Sequence, residues 1–507
     1  MINAIDNLIT KGLDTLHNAR LPTKEEFDAL RDRLASAGQA HLLTFWDTLS
    51  DSEKRALFHQ LSELDVERCN RIFQLAIEGA ERASTSGKCN LEPLPASVFD
   101  SVLEASSEQI DEWKRLGLEL IARGEVGVIL MAGGQGTRLG SSAPKGCYDI
   151  NLPSKKSLFQ IQAERIRRLQ VLAASHGGVE ESSVVIPWYV MTSGPTREAT
   201  EKFFKHHNYF GLNAQNVLFF DQGTLPCFSM DGKILLETKS QLTAAPDGNG
   251  GVYEALRKHK ILDSMDSRGV KYLHAYCVDN CLVRVADPVF VGYCVSKGAD
   301  CGAKTVPKSC PTEPVGVVCL RNGKFGVVEY SEIDAEIAAR TKPNGQLAFG
   351  AANIANHFYT LDFLRRIKDF ESQLEYHVAK KKVKCVDVSS GNQLNPTTPN
   401  ALKMEMFVFD VFPFTERMAV LEVERQDEFS PLKNAPGSNV DCPETSRRDI
   451  LQQHLRFVNK AGATVEGDGD LEISPLVTYS GEGLSQLHGK TIKTPAIIND
   501  VEDLKKF

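Results

Sequence analysis

From Glu125 onward, apolar runs of strand length alternate with amphipathic stretches of helix length, and this alternation narrows the fold more than any other feature of the chain. The runs are Val126 to Met131, Val184 to Met191, Val217 to Phe220, Val270 to Val278, Val315 to Leu320 and Phe407 to Val411. Between them Ser157 to Leu169, Thr196 to His207 and Gly251 to Ser264 carry helical spacing. The pattern predicts βα units around an open, largely parallel, Rossmann-like α/β sheet. In such sheets ligands sit beyond the carboxyl ends of the strands, so the loops after these runs are where chemistry is expected.

The flanks read differently. From Thr23 to about Trp113 the periodicity is helical, with Phe27, Leu30, Leu34, Leu42 and Phe45 recurring at short intervals, and Ser50 with Glu53 forms a capping box before Leu57, Leu61 and Leu64. This is a structural layer to which we assign no chemistry. Past Ala419 the pattern loosens into a loop, Ser430 to Gly437, a helix near Glu444 to Val458 and a Gly- and Thr/Ser-rich stretch, Gly462 to Ser485. A chain of 507 residues exceeds one ordinary core. We therefore expect a helical N-terminal region (1–120), a catalytic domain (121–412) and a small C-terminal domain (413–507).

A net charge of -8 and the absence of any basic run argue against binding nucleic acid through an overall field, so an anionic substrate has to be held by a few placed cations. The 12 cysteines fall singly, and Cys277 and Cys281 lack the spacing of a zinc or redox motif, which predicts a reducing, cytoplasmic setting. No basic-then-apolar leader and no long apolar run is present, so neither secretion nor a membrane span is expected.

The run Val126 to Met131 leads directly into Ala132-Gly133-Gly134-Gln135-Gly136-Thr137-Arg138-Leu139-Gly140, followed by Pro144-Lys145. Glycines let backbone N–H groups approach phosphate oxygens, and Arg138 and Lys145 supply charge that the main chain cannot. A dinucleotide fingerprint would need Gly at Leu139, which speaks against a pyridine-nucleotide oxidoreductase. A P-loop would need Gly-Lys-Ser/Thr, whereas Lys145 lies between Pro144 and Gly146. Asp279 closes the run Val270 to Val278, which puts a carboxylate at the sheet edge where one Asp with substrate phosphates suffices for Mg²⁺ (or Mn²⁺).

From about Thr23 to its C-terminus the sequence resembles the eukaryotic UDP-N-acetylhexosamine pyrophosphorylases. The resemblance runs through Ala132 to Gly140 with Pro144-Lys145, Leu158 to Arg165, Ala245 to Gly251, Val278 to Asn280, Ala352 to His357 and Glu428 to Asn434. It implies a nucleotide-diphospho-sugar transferase fold and an in-line attack of an N-acetylhexosamine 1-phosphate on the α-phosphorus of UTP. Such a reaction is served by cations, a metal and amide donors. The resemblance implies Arg138, Lys145 and Lys433 on the phosphates, with Lys403 a second candidate, and Asp279 on the metal. It implies Gln222, Gly248 and the main chain of Ala132, Gly133 and Gly134 around the uridine, and Asn249, Gly316, Glu329, Asn353, Phe407 and Phe409 around the sugar. The alternating Phe407 and Phe409 would share one face of a strand. The alternative is a UDP-glucose or broad-specificity UDP-sugar pyrophosphorylase. Against it stands Asn249, where the UDP-glucose enzymes carry His. A catalytically silent relative would not be expected to keep Arg138, Lys145, Asp279 and Lys433 together.

Overall fold

The computed structural model describes residues 20–85 and 90–507, and the chain divides into two compact units, each assembled from separate stretches. The larger takes the stretch ending at Gln222 together with Val252–Gln373 and Val408–Phe507; the smaller joins the N-terminal helices to Gly223–Gly251 and Leu374–Phe407.

The larger unit is built on a central sheet. Its strands include β1 (Phe99–Ser101), β2 (Val126–Met131), β3 (Trp188–Thr192), β4 (Val217–Asp221), β5 (Tyr272–Cys277), β6 (Cys301–Pro307), β7 (Val317–Arg321), β8 (Lys324–Val328), β9 (Ala351–Thr360) and β10 (Met418–Glu422). They lie in the order β1-β10-β6-β9-β5-β2-β3-β4, and the hairpin β7–β8 joins β9. Neighbours are parallel in β5-β2-β3-β4 and in β1-β10-β6, while β9 runs antiparallel to both β5 and β6. One reversed strand between two parallel sets leaves the sets pointing the same way, so their carboxyl ends share one edge.

Every residue of β2 is buried, as a continuous apolar run in a sheet covered on both faces requires. Part of that cover is the helix Ser107–Ala122 against Pro288–Ser296. A Cβ on Gly117 would meet the Pro288 carbonyl oxygen at 2.0 Å, and one on Gly292 the Trp113 carbonyl oxygen at 1.8 Å, so only glycines allow this approach. Ser157 caps the helix Leu158–Gly177 by accepting from the Gln160 N–H, and Gly178 ends it in the left-handed region at φ 63°.

In the smaller unit the leucines of the helices Lys24–Ser36 and Asp51–Glu63 pack into one apolar core with Phe228, Ile234, Leu402 and Met404. The capping box of Ser50 and Glu53 is present. The C-terminal stretch carries the helix Pro443–Lys460 and two parallel strand pairs over a core that includes Phe457, Leu471, Leu487 and Ile492. Within the larger unit, Glu472 accepts from Ser154 N–H and O–H at 2.7 and 2.6 Å, tying this stretch to the layer beside the sheet.

Several expected elements are corrected. The expected strand Val184 to Met191 starts only at Trp188, since Pro187 has no N–H to donate. The helix expected over Gly251 to Ser264 is two helices, Val252–Lys258 and Ile261–Ser267, broken where Lys260 takes φ 55°. The stretch Thr23 to Trp113 is interrupted by the strands Leu91–Glu92 and Phe99–Ser101. The sheet continues past Ala419 through β10. Phe407 to Val411 forms turns, and the strand there is Ala401–Glu405. It stops because Met406 gives its N–H to the Asp247 carbonyl and its carbonyl to the Gly250 N–H, so neither group is left to extend a ladder.

Candidate active site

The loop after β2 is tied down from both sides. Ala132 N–H donates to the Met191 carbonyl at 2.8 Å, and the Ser193 hydroxyl donates to the Gly133 carbonyl at 2.7 Å. Gln222, just past β4, donates its backbone N–H to the Thr192 carbonyl at 2.9 Å and lays its amide oxygen where a Cβ on Gly133 would stand, 2.2 Å away. Farther along, the loop folds back on itself. Gly136 N–H donates to the Ala143 carbonyl, Ser141 N–H to the Gly136 carbonyl and Lys145 N–H to the Gly134 carbonyl, so Lys145 returns beside the exposed Gly134. Arg138 stands exposed on the single turn Thr137–Leu139. Leu139, where a dinucleotide fold needs glycine, is buried with Ile150, Leu152, Leu282 and Leu432 and anchors the loop.

Lys145 Nζ donates to the Leu432 carbonyl at 3.1 Å and lies 3.9 Å from Asp279 Oδ2, with both side chains about four-fifths buried. Asp279 follows β5 at the shared carboxyl edge. A distant segment is laced against it. Leu432 N–H donates to the Asp279 carbonyl at 2.8 Å and Cys281 N–H to the Ser430 carbonyl at 2.9 Å. The Asn280 amide donates to the Glu428 carbonyl at 2.7 Å and accepts from Ser430 N–H at 3.0 Å. Lys433 therefore leaves the segment next to Asp279. The N–H groups of Lys433 and Asn434 both donate to the Asp441 carbonyl, while burial raises the Asp441 carboxyl above its ordinary range against the pull of Lys433.

Beneath the segment lies a buried charge group. Lys304 on β6 donates to Asp287 at 2.6 Å and Glu428 at 2.5 Å, and Arg284 pairs with Glu428 at 3.3 Å. Burial works to discharge Lys304, but the two carboxylates override it and hold its ammonium above the usual range. Sequence reading missed this group and the Asn280 clasp. The available signal was a lysine inside the apolar run of β6, where a charge survives only if partnered.

Gly316, Glu329 and Asn353 also come together in the larger unit. The Gly316 carbonyl accepts from Asn353 N–H at 2.9 Å, and a Cβ on Gly316 would stand 3.0 Å from Glu329 Oε1. In the smaller unit, the buried Asp247 carboxylate lies between Gly223 and Gly251, whose added Cβ atoms would meet it at 2.4 and 2.0 Å. Gly248 takes φ 90° over the Met406 carbonyl, and Asn249 opens the turn Asn249–Gly251. Lys403 sits on the strand Ala401–Glu405 and acts electrostatically on the Cys227 thiol. Phe407 stacks on His377 at 4.2 Å, and Phe409 belongs to the larger unit, so the two rings do not share a strand face.

Among the described residues no three His, Cys, Asp or Glu side chains gather as a metal cage. The partly exposed carboxylate of Asp279 suits a hard cation whose remaining positions go to phosphate oxygens and water. No helix among the described residues is long and apolar enough to cross a membrane.

Residues 76–470 match the family described as UTP–glucose-1-phosphate uridylyltransferase. The chain is 48% identical over 487 residues to the UDP-N-acetylhexosamine pyrophosphorylase-like protein 1 of Xenopus tropicalis, covering 92% of this chain and 94% of that one. It is 44% identical to the UDP-N-acetylglucosamine pyrophosphorylase of Saccharomyces cerevisiae, covering 91% and 97%. The crystal structure of the uridine diphosphate N-acetylglucosamine pyrophosphorylase of Trypanosoma brucei with an inhibitor superposes with a TM-score of 0.79 at 31% identity, covering 94% and 98%.

Proposed function

This chain belongs to the UTP–glucose-1-phosphate uridylyltransferase family, and on that premise we propose that it joins UTP to N-acetylglucosamine 1-phosphate, releasing pyrophosphate and UDP-N-acetylglucosamine. The observation that supports this reading is the convergence of Lys145, Asp279 and the segment bearing Lys433 beside the glycine loop. The sugar phosphate oxygen attacks the α-phosphorus of UTP in line with the departing pyrophosphate. Lys145, Arg138 and Lys433 offset the charge that accumulates on the phosphoryl oxygens and the leaving group, and Lys145, held at the Leu432 carbonyl, acts from a fixed position and so without reorganisation during the step. Asp279 would hold Mg²⁺ or Mn²⁺, which supplies Lewis-acid charge neutralisation at phosphate oxygens. Gln222 and the main chain of Ala132, Gly133 and Gly134 bind the uridine, with Gly248 toward the base. Gly316, Glu329, Asn353 and Phe409 bind the sugar, and Asn249, Phe407 and Lys403 keep the roles that the resemblance implies.

The same reading takes residues 121–412 as the catalytic domain between a helical N-terminal region (1–120) and a C-terminal domain (413–507). It also takes the protein as cytoplasmic. Pyrophosphate release from UTP, Mg²⁺ and a panel of sugar 1-phosphates tests the function. We expect N-acetylglucosamine 1-phosphate to be best, N-acetylgalactosamine 1-phosphate to follow, and glucose 1-phosphate to trail by at least about tenfold in kcat/KM. Equal or faster turnover of glucose 1-phosphate would instead establish the UDP-glucose or broad UDP-sugar reading. Asp279→Asn should raise the Mg²⁺ concentration needed for half-maximal rate, because a neutral amide is a poorer ligand for a hard cation. An unchanged Mg²⁺ dependence would remove Asp279 from the metal.

A further inference from the structure

Residues four apart along an unbroken strand stand about 13 Å from one another, too far for their side chains to bond. Asn353 and His357, both on β9, nevertheless meet at 3.2 Å through Oδ1 and Nε2. The cause is a bulge. Opposite β6, Thr305 pairs with Asn353 and Lys304 with Asn356, so Ile354 and Ala355 have no partner across the ladder, and Ala355 takes the left-handed φ of 52°. A non-glycine residue held there signals a constraint worth its strain, and such constraints cluster at binding sites.

The bulge also settles which way the Asn353 amide faces. The backbone N–H of Ala355 points at one of its terminal atoms at 3.2 Å, and an N–H can only donate, so that atom is the oxygen. His357 Nε2 reaches the same oxygen and therefore carries the ring proton. His357 Nδ1 is then an acceptor, and it lies 3.1 Å from the Tyr359 hydroxyl, whose O–H can fill it. Tyr253 lies 2.8 Å from Tyr359 through their hydroxyls and donates to the Val408 carbonyl at 2.5 Å. The imidazole is fully buried, packs edge-on against Phe412 at 4.9 Å, and is kept neutral because burial pushes its pKa down to about 3. With its oxygen doubly engaged on the protein side, the half-buried Asn353 has its amide nitrogen left over, and that nitrogen donates to none of the described residues.

We propose that His357 is a positioning residue for substrate selection: it locks the Asn353 amide with its NH₂ turned outward, so that what is read there is a hydrogen-bond acceptor, the carbonyl oxygen of an N-acyl substituent on the sugar. The inference rests on the assignment of Asn353 to the sugar subsite. Without His357 only the Ala355 N–H still holds the oxygen, so the amide turns over more readily to offer its oxygen, which an acyl carbonyl repels and a hydroxyl tolerates. Discrimination should therefore suffer more than turnover.

The experiment compares kcat/KM for N-acetylglucosamine 1-phosphate and glucose 1-phosphate in the parent, His357→Phe, His357→Gln and Tyr359→Phe, with the KM for UTP measured alongside. His357→Phe should cut the preference for the acetylated sugar by about tenfold, the effect of one lost charge-neutral hydrogen bond, with the KM for UTP unchanged. His357→Gln, which keeps a donor, should restore most of the preference. Tyr359→Phe, a milder change that retains the ring, should lower it partially and serves if His357→Phe melts at assay temperature. An equal loss for both sugars, or an unchanged preference in both His357→Phe and Tyr359→Phe, overturns the inference. If the parent turns over neither sugar phosphate, the proposed function fails. The inference is then decided by calorimetry with UDP-N-acetylglucosamine and UDP-glucose, and parent and His357→Phe giving the same ratio of Kd values would overturn it.

Discussion

Lys145 is held by its own backbone to Gly134 and by its ammonium to the Leu432 carbonyl, so its charge is in place before any phosphate develops more negative character. Deleting one such preorganised donor typically costs on the order of 10²–10³ in turnover, and Lys145→Ala should lose that much kcat while its thermal unfolding stays close to that of the parent. Pyrophosphate release at the parent rate would remove Lys145 from the phosphates. Gly133 makes a different kind of contribution, through what it lacks. The Gln222 amide oxygen occupies the place of the missing Cβ, 2.2 Å from it, and the obstacle is the end of a side chain that can move. Gly133→Ala should therefore fold but displace Gln222, raising the KM for UTP by roughly tenfold, about 1.4 kcal/mol of binding, with a smaller change in the KM for the sugar phosphate. At this scale the glycine loop, Lys145 and Asp279 were legible in the sequence because they stand in one motif or at the end of one apolar run. His357 was not, since its role depends on a left-handed alanine that nothing in the local composition announces.

Among elements, the segment Glu428 to Asn434 depends on a single side chain. Asn280 is 4% exposed and serves the Glu428 carbonyl, the Ser430 N–H and the Leu282 N–H at once. Asn280→Ala leaves these buried groups unpaired, at about 1–3 kcal/mol each before relaxation, and frees the segment that carries Lys433. We expect a net loss of roughly 2–4 kcal/mol in urea unfolding. We also expect faster proteolytic cleavage between Phe429 and Val440, and a kcat reduced more than either KM. Cleavage and kcat both at parental levels would show that the clasp is dispensable. Where element prediction failed, the competing effect was backbone hydrogen bonding set by tertiary neighbours. The apolar run Phe407 to Val411 has a strand's pattern, but Met406 has already given both its backbone groups to Asp247 and Gly250, more than 150 residues earlier in the chain.

For the molecule as a whole, His274, His357 and His454 are buried and neutral, their pKa values pushed down to about 4, 3 and 3, chiefly by burial. In the unfolded chain each returns to about 6.5, so between that value and its folded pKa the unfolded state binds more protons. The stability these groups contribute is thus fully present above pH about 6.5 and is lost progressively on acidification, by up to about 1.4 kcal/mol per pH unit for each histidine. Urea midpoints should fall steeply from pH 7 to pH 5, and His454→Gln should flatten the slope; a midpoint constant across that range would mean that these rings charge in the native state. What the sequence by itself determined is the class of sheet and the strand that feeds the phosphate loop, which follow from the period of apolar residues and from glycines and cations at close spacing, local properties all, and, through a resemblance in several separate blocks, the family. Only the tertiary structure decided which stretches share a core, since the leucines of the N-terminal helices pack with Phe228 and Met404, partners that periodicity cannot name. It alone also brought Lys145, Asp279 and Leu432 together, because that meeting depends on backbone hydrogen bonds between segments far apart in the chain, and a backbone N–H carries no mark in the sequence of where it will donate.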